Sequence, residues 1–361
     1  MHHAPLIAVL MLLPTTAAAQ ARSDQDRYAG VDGVEIVDVI GTVEIVLSDR
    51  DDVIIETARR GDRPVEVSRS GGALIVRGPD RVDEEAFWDL YAPGIRVGGW
   101  RMGGRSIRVT NGRDRRFEKL LEDYPRLTIR APVGTGLSVE GSAVLLSADG
   151  AAGTLGLPGN VYLRGTLGDV DAATVTMSDP GALTLRDVSG AARIDLAGSG
   201  DVRFGRADEA AISLRGSGDI EGGDVTGALS VTLVGSGDVE AGRIGGPLTI
   251  SLRGSGDVEV AEAASGARIE LAGSGDIEIE RLSGAVEAEL RGSGDIEMGE
   301  GRANAFRAVL AGSGDISFDG VAVAPILRTA GSGDIVVGEA EGRIDAEGRG
   351  IRVGGRSVGA E

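Results

Sequence analysis

The chain is 361 residues long, carries a formal net charge of −19 and contains no cysteine. An acidic balance of that size argues against nucleic acid and anionic lipid as partners, because both require a basic face. Without cysteine there is no disulfide, no thiol nucleophile and no thiolate metal site, so stability must come from packing and backbone hydrogen bonds.

Residues 1–19 read as a signal peptide. The apolar run from Leu6 to Leu13 is followed by Pro14 and by Ala17-Ala18-Ala19. That run is shorter than the roughly 20 residues a membrane span needs, and small residues at the first and third positions of the triplet suit cleavage after Ala19. The expectation is an exported protein, periplasmic, cell-surface or secreted, with no transmembrane segment once the signal is removed.

Residues 20–80 are expected to form an N-terminal β cap. Val43-Glu44-Ile45-Val46-Leu47 and Ala73-Leu74-Ile75-Val76 are strand-like, with turns at Gly41-Thr42, Ser48 to Asp52 and Ser70-Gly71-Gly72. A cap is needed because an open solenoid end exposes an unpaired sheet edge.

Residues 81–125 interrupt this pattern as an aromatic and arginine-rich insertion. Phe87, Trp88, Tyr91, Trp100, Phe117 and Tyr124 all fall here, as does Lys119, the only lysine. Arg113 to Tyr124 is predicted to form a short helix ending before Pro125. Trp88, Tyr91, Trp100, Arg101, Arg105 and Arg108 are candidate anchors for an anionic glycan or a partner protein, since aromatic and arginine side chains dominate binding surfaces. The alternative is a flap whose aromatics cover the flank of the repeat and whose arginines pair with its acids.

From residue 126 to 361 a repeat dominates. Gly-Ser-Gly-Asp occurs eight times, ending at Asp201, Asp219, Asp238, Asp257, Asp276, Asp295, Asp315 and Asp334, in steps of 18 to 20 residues. After each Asp comes an apolar-polar-apolar stretch such as Ile277-Glu278-Ile279. A second alternating stretch, such as Ala267-Arg268-Ile269-Glu270-Leu271, precedes the next motif. A period of two is that of strands, and constant corner spacing is that of stacked coils rather than a hairpin meander. The predicted fold is all-β: a single-stranded parallel β-helix, or β-solenoid, with 19-residue coils. Right-handed winding is expected from the general handedness of parallel crossovers.

These features resemble the family described as "Putative auto-transporter adhesin, head GIN domain", whose members are bacterial exported proteins. The likeness rests on Val34-Glu35-Ile36 to Leu47, Val65-Glu66-Val67, Gly72 to Val76, Leu127-Thr128-Ile129-Arg130-Ala131-Pro132 and the Gly-Ser-Gly-Asp coils. It covers nearly the whole chain except residues 81–125. The resemblance implies a β-solenoid and, more loosely, an adhesin-like role.

His2 and His3 are the only histidines and lie within the signal, so histidine-assisted hydrolysis and imidazole metal sites are excluded from the mature chain. What remains is carboxylate chemistry. Stacked about 4.8 Å apart, the eight motif aspartates would repel one another by roughly 3–4 kcal/mol per pair at an effective dielectric of 20, so something must offset that charge. One reading has turn amides satisfying the carboxylates, with the glycines supplying positive φ and the serines bonding along the stack. The other places Ca²⁺ between coils, giving a calcium-dependent structural rod. A second column, Glu221, Glu240, Glu259, Glu278 and Glu297, should make one edge densely acidic. Arg215, Arg253 and Arg291, in alternate coils, are expected to neutralise part of the aspartate stack. A carbohydrate-active enzyme using paired carboxylates is a third reading, but the acids repeat identically and no coil stands out. The sequence therefore points to a non-enzymatic binding or structural scaffold, without a cofactor unless calcium serves, meeting an envelope or surface ligand that is protein or glycan.

Overall fold

The computed structural model describes residues 23–58, 65–83, 87, 124, 126–178 and 181–358. The expected signal peptide and the expected helix at 113–124 lie outside these, apart from Tyr124. Among the described residues, 30 strands join one continuous hydrogen-bonded sheet that winds as a parallel β-solenoid. The all-β stacked-coil architecture read from the repeat is the one the chain adopts.

Each coil contributes the same inward columns. Val202, Ile220, Val239, Val258, Ile277, Ile296, Ile316, Ile335 and Ile351 are paired in register, one per coil. All nine are buried. On the preceding strand Leu214, Leu233, Leu252, Leu271, Leu290 and Leu310 stack in the same way. A third column, Val170, Val188, Ala207, Val225 and Ile244, closes the cross-section at another corner. β-Branched and leucine side chains suit this position because each packs on its own kind above and below while its backbone is paired on both sides. Burial of each such side chain contributes roughly 1.5–3 kcal/mol. Phe306 and Phe318 fill wider stretches, with ring centroids 5.2 Å apart and planes 13° apart.

The N-terminal strands are β1 (Ser23–Ala29), β2 (Gly33–Val37), β3 (Ile40–Ser48), β4 (Asp52–Ala58), β5 (Glu66–Ser70) and β6 (Ala73–Arg77). They are followed by β7 (Arg126–Pro132), β8 (Gly136–Glu140) and β9 (Ala143–Asp149). Strand β2 lies between β6 and β8, parallel to both, and β3 lies between β7 and β9 in the same fashion. Residues 33–48 thus form a rung of the solenoid itself. Outside it, β4 pairs antiparallel with β7 and with β1, and β5 pairs antiparallel with β6. At the far end a short hairpin, Ile351–Val353 with Arg356–Ser357, folds back on the last coil.

Candidate functional site

The Gly-Ser-Gly-Asp corners form one straight column. In each, the backbone N–H of one aspartate donates to the Oδ1 of the aspartate one coil earlier. The distances run from 3.3 Å at Asp219–Asp201 to 2.7 Å at Asp315–Asp295 and Asp334–Asp315. The backbone carbonyl accepts as well: Val258 N–H donates to Asp276 O at 3.0 Å, and Ile277 N–H to Asp295 O at 2.9 Å. Ser274 and Ser293 Oγ lie 3.2 Å apart along the same edge. Every carboxylate from Asp201 to Asp315 is therefore held by the amide of the coil above it, which orients the negative charge. Among the described residues, no group of three or more His, Cys, Asp or Glu is arranged to hold a metal ion.

Two expectations about this corner are corrected. The motif glycines do not supply positive φ; the left-handed glycines are elsewhere, at Gly266 and Gly284 in the second turn. Glycine is required in the motif because the neighbouring coil comes too close. A Cβ on Gly275 would fall inside the carbonyl of Gly256, and one on Gly273 inside that of Gly254. Nor do the alternate arginines neutralise the aspartates. Arg215 pairs with Asp195, Arg291 pairs with Glu289, and neither reaches the corner column. For Arg291 that acid lies two residues earlier on its own strand, and for Arg215 it lies in the adjacent coil.

Glu221, Glu240, Glu259, Glu278 and Glu297 stand in register on the outward face, two residues beyond the aspartates. Arg203 caps one end by pairing with Glu221, and Arg352 pairs with Asp334 at the other end of the aspartate column. Among the described residues, no arginine forms an ion pair with Glu240, Glu259 or Glu278. Partial burial, then Glu240 and Glu278, then Asp257 and Asp238, raise the carboxyl of Glu259 above its ordinary value.

A second acidic corner escaped the sequence reading. Asp169 Oδ1 accepts from Asp187 N–H at 3.3 Å, Asp187 Oδ1 from Arg206 N–H at 3.0 Å, and Asp224 Oδ1 from Arg243 N–H at 2.9 Å. Arg186 and Arg206 pair with Asp169 and Asp187. The Arg186 and Arg206 side chains hydrogen-bond these carboxylates, and the neighbouring amides add to this, so both are held below the ordinary aspartate range. The available signal was the recurring Asp-Val pair at Asp169-Val170, Asp187-Val188 and Asp224-Val225, which repeats the corner logic of charge followed at once by core.

Of the insertion, residues 81–83, 87 and 124 are described, and Val82 and Phe87 are buried against Ala143, Val161 and Tyr162 on the solenoid flank. Trp88, Tyr91, Trp100, Arg101, Arg105 and Arg108 lie outside the described residues. Two grooves among the described residues are small. One beside Asp201, Arg203, Asp219 and Glu221 holds about 100 Å³, and one beside Pro247, Ser265, Arg268 and Glu287 about 290 Å³. Both fall below the roughly 300–1,000 Å³ of small-molecule clefts. Among the described residues, no helix is long and apolar enough to cross a membrane.

The family model described as "Putative auto-transporter adhesin, head GIN domain" matches residues 33–262 and 247–351. Among solved structures, the chain is similar to a "putative adhesin" from Bacteroides fragilis NCTC 9343, at 13% identity and a TM-score of 0.31. The match covers 88% of this chain and 98% of that one. A "putative cell adhesion protein" from Clostridium sporogenes ATCC 15579 is similar at 9% identity and a TM-score of 0.17, covering 76% and 99%. No curated protein matches the chain. On the extent of the family match, the chain belongs to the head GIN domain family of putative auto-transporter adhesins.

Proposed function

We propose that the protein is a non-enzymatic, adhesin-like scaffold that works at the cell envelope after export, and that it engages an extended surface ligand, protein or glycan. The observation that carries this reading is the uniformity of the outward columns. Each carboxylate from Asp219 to Asp315 has the same partners as its neighbours in the coils above and below. Acid–base catalysis requires two carboxylates in unlike environments, one protonated and one not. A column of equivalent groups supplies repeated contacts instead. The insertion, anchored on the flank through Val82 and Phe87, would present Trp88, Tyr91, Trp100, Arg101, Arg105 and Arg108 as the one non-repetitive binding element.

Two experiments test this. Fractionation of cells for the native protein should recover it in the periplasm, at the surface or in the medium; recovery in the cytoplasm would remove the reading. Binding of the purified protein to arrays of sialylated and sulfated glycans, and to extracellular matrix proteins, should be lost when residues 88–123 are replaced by a short Gly-Ser linker. Full binding by the linker variant would shift the site onto the coils. Turnover of any array glycan would contradict a non-enzymatic role.

A further inference from the structure

The rung built from β2 and β3 is connected unlike any coil of the body. In the body, hydrogen-bonded neighbours are one coil apart in sequence, as in Asp219 to Asp201 at 18 residues and Asp315 to Asp295 at 20. Val39 N–H, by contrast, donates to Ser142 Oγ at 3.0 Å across 103 residues. Strand β3 is bracketed by β7 on one side and β9 on the other, and both follow the insertion in the chain. The loop from Pro132 to Gly136 steps past this rung at its corner: Val133 N–H donates to Ser48 O at 3.1 Å and Gly136 N–H to Asp32 O at 3.0 Å.

The rung is nonetheless fully integrated. Val34, Ile36, Val43 and Ile45 are at most 1% exposed. A buried polar seam ties it in: besides binding Val39, Ser142 Oγ donates to Glu140 O at 2.8 Å. Ser142 N–H donates to Asn160 Oδ1 at 3.0 Å, and Asn160 Nδ2 donates to Val139 O at 2.8 Å. Of these bonds, the one from Val39 N–H crosses into the rung, and the others lie within residues 139–160 and fix the Ser142 hydroxyl that receives it.

A body coil forms by adding the next 19 residues to an existing edge, so its closure loop is short. The β2–β3 rung has one partner nearby in the chain, β6, but its other three, β7, β8 and β9, arrive roughly 80 to 100 residues later, and the entropy of loop closure rises with that separation. We infer that residues 33–48 are a self-inserting strap, which closes after the body of the solenoid has formed and opens as a unit separate from it. Seated, the strap pairs β6 and β7 along one edge and β8 and β9 along the other, and its buried side chains continue the apolar columns between them. Withdrawn, it would part β6 and β7 from β8 and β9 and expose the apolar face between them.

Pulsed hydrogen exchange during refolding of the full chain reads the order directly. Amides of residues 34–37 and 42–47 should gain protection at least about threefold more slowly than those of residues 239–335. Protection appearing together, or first at the N-terminal end, would overturn the inference. Val43→Asp in the full chain supplies the second readout. Exchange should accelerate over residues 33–48 and 126–132, while rates over 239–335 stay within about twofold of the parent protein. Loss of protection throughout the body, or general failure to fold, would show that the rung is part of one cooperative unit and would equally reject the strap.

Discussion

At the scale of single residues, glycine and aspartate share one corner for different reasons. The glycines let adjacent coils approach to backbone contact, as the Gly275–Gly256 stack shows. Gly275→Ala should therefore cost about 1–3 kcal/mol, the range of core overpacking, although alanine is tolerated wherever φ is negative. Ser274→Ala should stay within about 0.5 kcal/mol. Denaturant midpoints that place the two variants together would reject close approach as the role of this glycine. Glu259 makes the opposite case, a residue that the fold disfavours in its charged form. Its carboxyl is raised in the folded state by partial burial and by the acids around it. Ionisation therefore destabilises at neutral pH, and the penalty fades as pH falls through the raised folded value towards the unfolded one. Glu259→Gln should accordingly raise the denaturant midpoint slightly at pH 7, less at high salt, and make no difference near pH 3. A midpoint lowered at pH 7 would mean the glutamate column is compensated by something else.

At the scale of strands, register decides what each substitution does. Leu271 is buried on the inner face, whereas Glu270 points outward and pairs with Arg268 at 3.0 Å. Leu271→Asp should cost about 3 kcal/mol or more, because the new charge meets only stacked leucines. Glu270→Ala should cost at most about 0.5 kcal/mol, as exposed pairs do. Equal losses by chemical denaturation would mean the register is wrong by one residue. The second corner supplies a pH-dependent element. Asp169 and Asp187 are depressed by Arg186 and Arg206, so they stabilise above the ordinary aspartate range and lose that contribution as pH drops through their folded values. Arg206→Gln should therefore lower stability slightly and evenly from about pH 5 to pH 9 and converge with the parent protein near pH 2, which makes the acid limb of its unfolding curve shallower. A loss that persists undiminished at pH 2 would contradict the pairing.

Much of this element-level order was legible in the sequence. Alternation around Ile277-Glu278-Ile279 and Ala267 to Leu271 fixed the inward set, and the spacing of the aspartates fixed the coil. Three things were not legible, each for a physical reason. Positive φ and close approach both select glycine, so composition alone cannot separate them. Arg215 and Arg291 have acids within reach in more than one direction, and the nearer partner is set by side-chain geometry that no period encodes. The insertion of residues 33–48 between β7 and β9 is a pairing across roughly 100 residues, whereas the repeat speaks only of neighbours one coil apart.

At the scale of the whole molecule, the aspartate column from Asp201 to Asp315 has an amide partner in every coil. Chelation of divalent cations should leave the melting temperature unchanged at neutral pH. A fall restored by calcium but less by magnesium would reveal metal between the coils, since a ligand bound only to the native state stabilises by mass action. The central claim is that successive coils stack in register along a single axis, so that outward columns become a ruler. Spin labels in place of Glu221 and Glu297 are four coils apart, and labels in place of Glu221 and Val336 are six. Pulsed electron–electron resonance should give backbone separations of about 19 Å and about 29 Å, a constant increment of about 4.8 Å per coil. Separations that fail to grow linearly with coil number would contradict the stacked solenoid and the scaffold reading built on it.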